Sequence, residues 1–252
     1  MQTEKIRSIA DLVGVVDALI RDTERIWWFR GQAKPEWHLS PSIMRGYSRE
    51  QEKFFSNEFF VRANLRYANC PPIEDFAGWL ALMQHYRVPT RLLDWSYSPL
   101  VAAFFATAFL QSSAQKEPDT DACIWAIQPS ELNASQELER LLYPLSARTL
   151  QDMITPSRIG KDKTSRVAAA MAVETDLRML MQQGAFTVHS SETPLDLMDG
   201  CDDWLCKYII PRDSVRRVAW EVKLLGCRLG DVFPDLDGLA GELTSRHQPV
   251  NG

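Results

Sequence analysis

With 252 residues, 45% of them hydrophobic and 24% charged, the chain can bury the core of one large domain, which excludes intrinsic disorder over most of its length. The net charge of −5 excludes attraction of nucleic acid by the molecule as a whole, so any nucleic acid would have to bind at a local basic patch. Because no apolar run reaches the length of a membrane span and the first residues lack the apolar core of a signal peptide, we expect a cytoplasmic protein with no membrane partner.

The five cysteines are odd in number and form no Cys-x-x-Cys pair. Their spacing fits neither a disulfide framework nor a zinc site, and reduced thiols are the simplest interpretation. We therefore predict no bound metal.

The N-terminal part of the chain contains a helix followed by a strand. Apolar residues recur at helical spacing after Ser8, so residues 1–25 are predicted to form an N-terminal helix. Residues 26–30, rich in aromatic side chains, predict a buried strand that delivers Arg30 and Gln32 at its carboxyl end. An arginine beside three aromatic residues is costly to bury alone, so either a structural salt bridge or an anionic ligand is expected to compensate it. We assign residues 26–245 to one domain and residues 246–252 to a tail.

Two helices are predicted in residues 48–88, which we interpret as a helical insertion in the domain. Ser48 and Gln51 form a capping box at the start of the first helix. The second helix carries apolar residues at helical spacing from Phe76 and stops before Pro89.

Residues 84–108 combine a polar segment with a short apolar helix. Ser98 is a good N-cap and Pro99 suits the first helical position, while the run that follows is apolar on all faces and too short to span a bilayer. We therefore predict a helix buried in the core. Its N-terminus, near two arginines, could bind an anion; alternatively, Arg91 and Asp94 simply pair with each other.

The second half of the chain alternates predicted strands and helices. We predict strands at residues 123–127, 185–189 and 207–210, and helices at residues 130–142, 167–183 and 213–225. Between them, residues 155–166 contain Pro, Gly and four basic side chains. This loop could contact phosphates, although a solvated surface loop is the commoner outcome.

Several of these motifs together resemble the FRG domain, named after its Phe-Arg-Gly tripeptide. The motifs are Phe29-Arg30-Gly31-Gln32, Trp37 with Leu39, Pro41-Ser42 and Arg45, Gln84-His85-Tyr86, residues 89–96, Ser98-Pro99, residues 183–186, Lys207 with Ile210-Pro211, and residues 233–239. The resemblance extends from about Trp27 to Leu239. It supports a fold family and implies no particular reaction.

A more distant resemblance is to ADP-ribosyltransferases of the arginine–serine–glutamate type. Phe29-Arg30-Gly31 looks like the first element of that pattern, and Asp94-Trp95-Ser96 followed by Ala102 and Phe105-Ala106 looks like the second. The resemblance implies an α+β fold with a split mixed β-sheet and NAD as the substrate. It implies that Arg30 holds the NAD phosphates, that Gly31 offers its backbone to the nicotinamide amide, and that Ser96 supports the nicotinamide ribose.

The chain departs from this pattern where the family has a Glu-x-Glu strand. The strand before Pro211 reads Leu205-Cys206-Lys207, so the glutamate that bonds the ribose 2′-hydroxyl is missing. Either another acid replaces it or the protein binds a nucleotide without this catalysis. The candidates for the acid are Asp94, Asp235, Asp237 and Glu192. Asp235 or Asp237 could equally cap a turn or helix.

These residues lead to two main hypotheses. In the first, the protein is an NAD-consuming enzyme that transfers ADP-ribose to RNA, DNA or protein, as a bacterial toxin or antiphage effector that an antitoxin or chaperone could hold inactive. In the second, it is a non-catalytic module that binds a nucleotide or nucleic acid. A hydrolase using His85 and Asp94 ranks last, because no nucleophile is evident. The expected catalytic residues are Arg30, Asp94, Ser96, Asp235 and Asp237, and the expected NAD-binding residues are Arg30, Gly31, Gln32, His85, Thr90, Arg91, Trp95 and Ser96.

Overall fold

The computed structural model describes residues 4–21, 25–110, 118–172 and 177–246. Its centre is a seven-stranded β-sheet. The strands are β1 (Trp28–Gln32), β2 (Leu92–Ser96), β3 (Ala122–Ile127), β4 (Tyr143–Pro144), β5 (Val167–Met171), β6 (Gly184–His189) and β7 (Leu205–Ile210). Their order across the sheet is β4-β5-β6-β2-β1-β3-β7.

The sheet is mixed, because β4 and β5 are parallel while the other neighbouring pairs are antiparallel. The N-terminal segment adds an isolated parallel bridge, from Lys5 to Ile209 in the edge strand β7. A mixed sheet covered by helices confirms the predicted α+β class.

The helices are α1 (Ile9–Arg21), α2 (Arg49–Ala63), α3 (Phe76–His85), α4 (Pro99–Thr107), α5 (Pro129–Ser135), α6 (Gln151–Ile154), α7 (Leu177–Gln182), α8 (Arg212–Leu224), α9 (Leu229–Val232) and α10 (Leu236–Arg246). One sheet face packs against α1, α4 and α8 in a core that includes Phe29, Phe104 and Val218. None of the described helices is long and apolar enough to cross a lipid bilayer.

Helix α4 forms as the local sequence predicts. The Ser98 side chain accepts a hydrogen bond from the Val101 N–H, and Pro99 occupies the first turn. The capping box of α2 is also present, with Ser48 and Gln51 bonding each other's backbone N–H groups. Both helices start where a side chain satisfies an otherwise unpaired backbone donor.

Of the helices predicted in the second half, the one at 167–183 was wrong over its first residues and the one at 130–142 was too long. Residues 167–171 form the buried strand β5 rather than the start of a helix, and α7 begins only at Leu177. Alanines at 168, 169 and 170 favour a helix locally, but they pack without exposed surface between neighbouring elements, so tertiary packing overrides propensity. The helix predicted at 130–142 is α5, which begins at Pro129 and ends at Ser135. Near the end of α5, the Asn133 side chain exchanges two hydrogen bonds with the backbone of Ala169 in β5: its amide N–H donates to the Ala169 carbonyl, and its amide oxygen accepts from the Ala169 N–H.

The basic loop at residues 155–166 packs against the helical region. Arg158 lies over the ring of Phe60, with its guanidinium carbon 3.7 Å from the ring centroid. Lys163 pairs with Asp152, and Arg166 pairs with Glu137. Three of the four basic side chains in this loop thus have partners within the protein, which favours a structural role for the loop over phosphate binding.

The sheet is split at its middle. Strands β1 and β2 share a single Cα pair, Phe29 with Ser96, whereas β1 pairs with β3 through five residues and β2 pairs with β6 through five. From that one pair, Arg30 to Gln32 and the first residues of β2 run apart. The opening between the two halves of the sheet contains the candidate site.

Candidate functional site

A cavity of about 430 Å³ lies in this opening. Arg30 to Ala33 line it from β1, Asp94 to Ser96 line it from β2, and Ala102 and Phe105 line it from α4. Since side chains alternate between the faces of a strand, residues from both faces reach the cavity, as expected for a gap in the sheet itself. The volume falls within the range of roughly 300–1,000 Å³ that is usual for small-molecule sites.

The lining of the cavity is positively charged, although the protein carries a net charge of −5. It contains four arginines, Arg30, Arg45, Arg87 and Arg178, and one carboxylate, Asp94, among the described residues. Guanidinium groups concentrated in a concave site favour an anionic ligand, especially one with phosphates.

Arg30 bridges the split between the strands. Its Nη1 donates a hydrogen bond to the main-chain carbonyl of Asp94 at 2.6 Å. Its Nε is buried and has no hydrogen-bond partner in the part of the chain that the structure describes. Burial lowers the pKa of Arg30, and the charge of Asp94 opposes that effect. The guanidinium thus stabilises the edge of β2 and keeps one donor unsatisfied at the cavity wall.

The Asp94 carboxylate is held from the other side by Gln84. Gln84 Nε2 donates to Asp94 Oδ2 at 2.7 Å, and the Thr90 hydroxyl donates to Gln84 Oε1. The Thr90 hydroxyl thereby fixes which end of the Gln84 amide faces Asp94. Asp94 stays exposed to the cavity while its four neighbours in β2 are buried. Because the surrounding protein displaces water, the pKa of Asp94 is raised, an effect that Arg30 and then Gln84 reduce.

Ser96 lies at the cavity, but its hydroxyl has structural partners. It donates to the Gln182 carbonyl at 2.7 Å and accepts from the Ser98 N–H at 3.0 Å. These bonds connect the end of β2 to α7 and to the entry of α4. One lone pair on Ser96 Oγ is left for a ligand donor.

Gly31 is required by the packing of α4. A Cβ at this position would lie 1.9 Å from the Ala102 carbonyl oxygen and 2.4 Å from the Ala106 nitrogen. The helix backbone therefore lies directly on β1, which is only possible at a glycine. This close approach places Ala102 and Phe105 in the cavity wall.

An aromatic loop covers part of the cavity. Trp37, 48% exposed, lines it from the segment that follows β1. Lys207 anchors the same segment by donating to the Pro35 carbonyl, and its Nζ lies 4.6 Å from the centroid of the Trp125 ring. Lys207, in the strand where the transferase pattern has a glutamate, thus holds a loop and does not line the cavity.

A second cavity, of about 400 Å³, adjoins the first. Arg87 and Arg178 line both cavities. His85, Tyr86, Leu229, Phe233, Asp235, Asp237 and Gly238 line the second cavity only. The Asp235 carboxylate accepts a hydrogen bond from the Gly238 N–H at 2.6 Å at the start of α10. It therefore has the capping role that the sequence left open.

The structure gathers most of the predicted site residues around these two cavities. Arg30, Gly31, Gln32, Asp94, Trp95 and Ser96 line the first, and His85, Asp235 and Asp237 line the second. Gln32 and Trp95 are largely buried: Gln32 accepts from Trp125 Nε1 at 2.8 Å, and Trp95 Nε1 donates to Thr187 at 3.1 Å.

Two predicted NAD-binding residues and one candidate acid lie outside both cavities. Arg91 is fully buried and forms a paired set of hydrogen bonds with Glu52 at 2.8 and 2.7 Å, with further bonds to Asp162 and the Met153 carbonyl. The Arg91 partner is therefore not Asp94, and its guanidinium is used for structure. Thr90 is fully buried and acts through Gln84. Glu192 faces Arg49 at 3.8 Å on the surface.

Sequence reasoning assigned no ligand role to Arg45, Arg178, Gln84 and Trp37, all of which line the first cavity. Arg87, one of the two arginines beside the predicted anion site, lines it as well. Trp37, Arg45 and Gln84 belong to the motifs that resemble the FRG domain, and that resemblance was the available signal. Arg178 had no such signal, because it falls in the segment wrongly predicted as one long helix. No group of three or more His, Cys, Asp or Glu side chains among the described residues is placed to hold a metal ion.

Comparison with known proteins gives one match. No curated protein matches the chain significantly. No solved structure matches it significantly either. The family model described as the FRG domain matches residues 25–116, which include β1, β2, α4 and the helices α2 and α3 between them. The FRG resemblance of the sequence is thereby supported over the segment that builds most of the first cavity.

Proposed function

We propose that the protein is an NAD-consuming, ADP-ribosyltransferase-like enzyme whose active site is the cavity at the sheet split. The observation that carries the proposal is the position of Asp94, a carboxylate exposed in a cavity whose other charged lining residues are arginines. A dinucleotide needs cationic groups for its phosphates and apolar surfaces for its rings, and the described lining offers both.

The proposed chemistry breaks the bond between the nicotinamide nitrogen and C1 of the ribose. The bond's electron pair goes to the nicotinamide ring, which leaves neutral, and positive charge develops on the ribose. Asp94 would stabilise that charge, taking the place of the missing Glu-x-Glu glutamate. An acceptor nucleophile then forms the new bond to C1 and releases a proton to solvent.

Two features support Asp94 in this role. Gln84, oriented by Thr90, directs its amide N–H to one carboxylate oxygen and so fixes the carboxylate in the cavity. Arg30 holds the main chain of the same residue, so both the backbone and the side chain of Asp94 are restrained. A restrained anion can stabilise a transition state without reorganising first.

The test uses NAD labelled on the adenylate phosphate, incubated with cell lysate that has or has not been treated with RNase or protease. We expect nicotinamide release together with label on a macromolecule, and a loss of about 10²–10³-fold in turnover for Asp94→Asn. Asp213→Asn, a carboxylate outside both cavities, is the matched control. Asp94→Asn with full activity would refute the role of Asp94, and absence of nicotinamide release from every lysate would refute the enzyme.

The resemblance alone supports three further parts of this proposal: a macromolecular acceptor, an inhibitory partner, and a role as a toxin or in antiviral defence.

The alternative function is a nucleotide-binding module without catalysis. One observation favours it: Lys207 stands where the transferase pattern has its glutamate, and it is engaged with Pro35 and Trp125. Binding of NAD without nicotinamide release would select this alternative.

A further inference from the structure

The two adjoining cavities share two arginines, and this arrangement has a specific consequence for the ligand. Arg87 and Arg178 line both cavities, whereas Asp94 lines only the first and Asp237 only the second. Two of the cationic groups are therefore shared by both cavities, and each cavity also has a carboxylate that the other does not share. A ligand that fits this pattern has an anionic centre and, on each side of it, a hydroxyl-bearing arm without negative charge.

Phe233 holds the two arginines at this junction. The guanidinium carbon of Arg178 lies 4.7 Å from the centroid of the Phe233 ring, and that of Arg87 lies 5.7 Å from it. Arg178 Nη1 also donates to the His85 carbonyl at 2.9 Å. Stacking on an aromatic ring restricts a guanidinium and reduces the entropy lost when it binds phosphate.

Arg30 is less suited to hold the phosphates than the resemblance implies. Its Nη1 is used by the Asp94 carbonyl, which ties it to the structure of the sheet. It also lines the first cavity only, whereas Arg87 and Arg178 line both.

We propose that the ligand is a dinucleotide whose pyrophosphate binds between Arg87 and Arg178, with the nicotinamide riboside in the first cavity and the adenosine in the second. The inference rests on the proposed function for the identity of the two arms. In the second cavity, the Asp237 carboxylate accepts hydrogen bonds from the adenosine ribose hydroxyls. Phe233 and Leu229 supply apolar surface there for the base.

Asp237 is better suited than Asp235 for the ribose. Asp235 is used as the cap of α10 through the Gly238 N–H. Asp237 is exposed and lies in the first turn of the same helix. Asp213 occupies the equivalent first turn of α8, away from both cavities, and provides a matched control for the loss of a carboxylate near a helix N-terminus.

The test is isothermal titration of ADP-ribose, AMP and nicotinamide mononucleotide into the full chain and four variants. Asp237→Asn should weaken ADP-ribose and AMP by about ten- to a hundredfold, the value of a hydrogen bond to a charged group, and leave nicotinamide mononucleotide unchanged. Arg87→Gln should weaken all three phosphate ligands. Asp213→Asn and the exposed Arg140→Gln should change none of them, and melting temperatures verify that all variants fold.

Wild-type binding of ADP-ribose should also exceed that of either mononucleotide, because the two arms are linked. ADP-ribose that fails to bind, or that binds equally well to Asp237→Asn and Arg87→Gln, overturns the inference. The outcome of this test is independent of the test of NAD cleavage. If the protein cleaves NAD but ADP-ribose binding does not depend on Arg87 and Asp237, the proposed activity stands and the proposed ligand placement is refuted. If binding depends on both residues but NAD is not cleaved, the ligand placement stands and the proposed activity is refuted.

Discussion

Replacing Gly31 by alanine tests whether this glycine serves packing or ligand contact. The added Cβ would lie 1.9 Å from the Ala102 carbonyl oxygen, whereas nonbonded heavy atoms rest at about 3.5 Å. Helix α4 would have to retreat by more than about 1 Å. Both obstructing atoms belong to the backbone of a buried helix, so no side chain can rotate out of the way.

Overpacking of this kind costs about 1–3 kcal/mol, and the rigid neighbours place Gly31→Ala in the upper part of that range. For a chain of this size, each kcal/mol lowers the melting temperature by about 2–4 °C, so we expect a decrease of about 4–12 °C. The same substitution at Gly14 is the control. A Cβ there meets nothing within 4 Å in helix α1, so Gly14→Ala should stabilise the protein by about 0.4–1 kcal/mol.

The assay is thermal unfolding followed by circular dichroism, together with binding of ADP-ribose. A melting temperature of Gly31→Ala within about 1 °C of the wild type would refute the packing argument. Weaker ligand binding without destabilisation would instead return Gly31 to the role that the transferase resemblance implies. Destabilisation together with weaker binding is the expected outcome, because α4 also supplies Phe105 to the cavity wall.

Three further predictions concern buried and charged groups. Arg91→Met should lower the free energy of unfolding in urea by about 3–5 kcal/mol, since it removes the paired hydrogen bonds of the buried Glu52 carboxylate and leaves it only Arg49 at 3.5 Å. Glu52→Leu in the same chain should restore much of this loss, whereas independent, additive effects would contradict the ion pair. Burial lowers the pKa of His189 to about 3, so the folded protein does not bind this proton and the free energy of unfolding falls as the pH drops below about 6.5. His189→Gln should therefore reduce the stability lost between pH 7 and pH 5 by about 2 kcal/mol, and an unchanged loss would refute the assignment. Gln84→Leu removes a hydrogen bond that lowers the pKa of Asp94, so the acidic limb of NAD cleavage should move to higher pH, whereas an unmoved limb would exclude Asp94 as the titrating group.

Local signals predicted the parts of the fold that local interactions determine. The Ser48–Gln51 capping box and the Ser98-Pro99 helix start were readable because the bonds that form them lie within a few residues. Strand β5 was not predicted, because the conformation of its alanines is determined by their burial between strands and helices that are distant in the sequence. The Arg91–Glu52 pair joins residues 39 positions apart, and no periodicity indicates it.

The candidate site shows the same division. The sequence placed Arg30 and Asp94 in one site because they fall in two recognisable motifs. It left open a pair between Arg91 and Asp94, which the structure contradicts because Arg91 bonds Glu52. The alternation of side chains along β2 could not decide this before the register of the sheet was known. Arg178 and the junction of the two cavities depend on where α7 and α9 end in space, which the linear pattern does not contain.

The geometry of Arg30 determines what its removal can reveal. A loss of NAD turnover in Arg30→Ala would be expected both from a phosphate anchor and from a side chain that merely holds the Asp94 carbonyl across the sheet split. The two roles separate through Arg87, which is exposed and stacks on Phe233 rather than bonding the sheet. If the pyrophosphate lies at the cavity junction, Arg87→Gln weakens ADP-ribose at an unchanged melting temperature. Arg30→Ala, in contrast, lowers the melting temperature together with binding. Equal melting temperatures with binding lost only in Arg30→Ala would return the phosphates to Arg30.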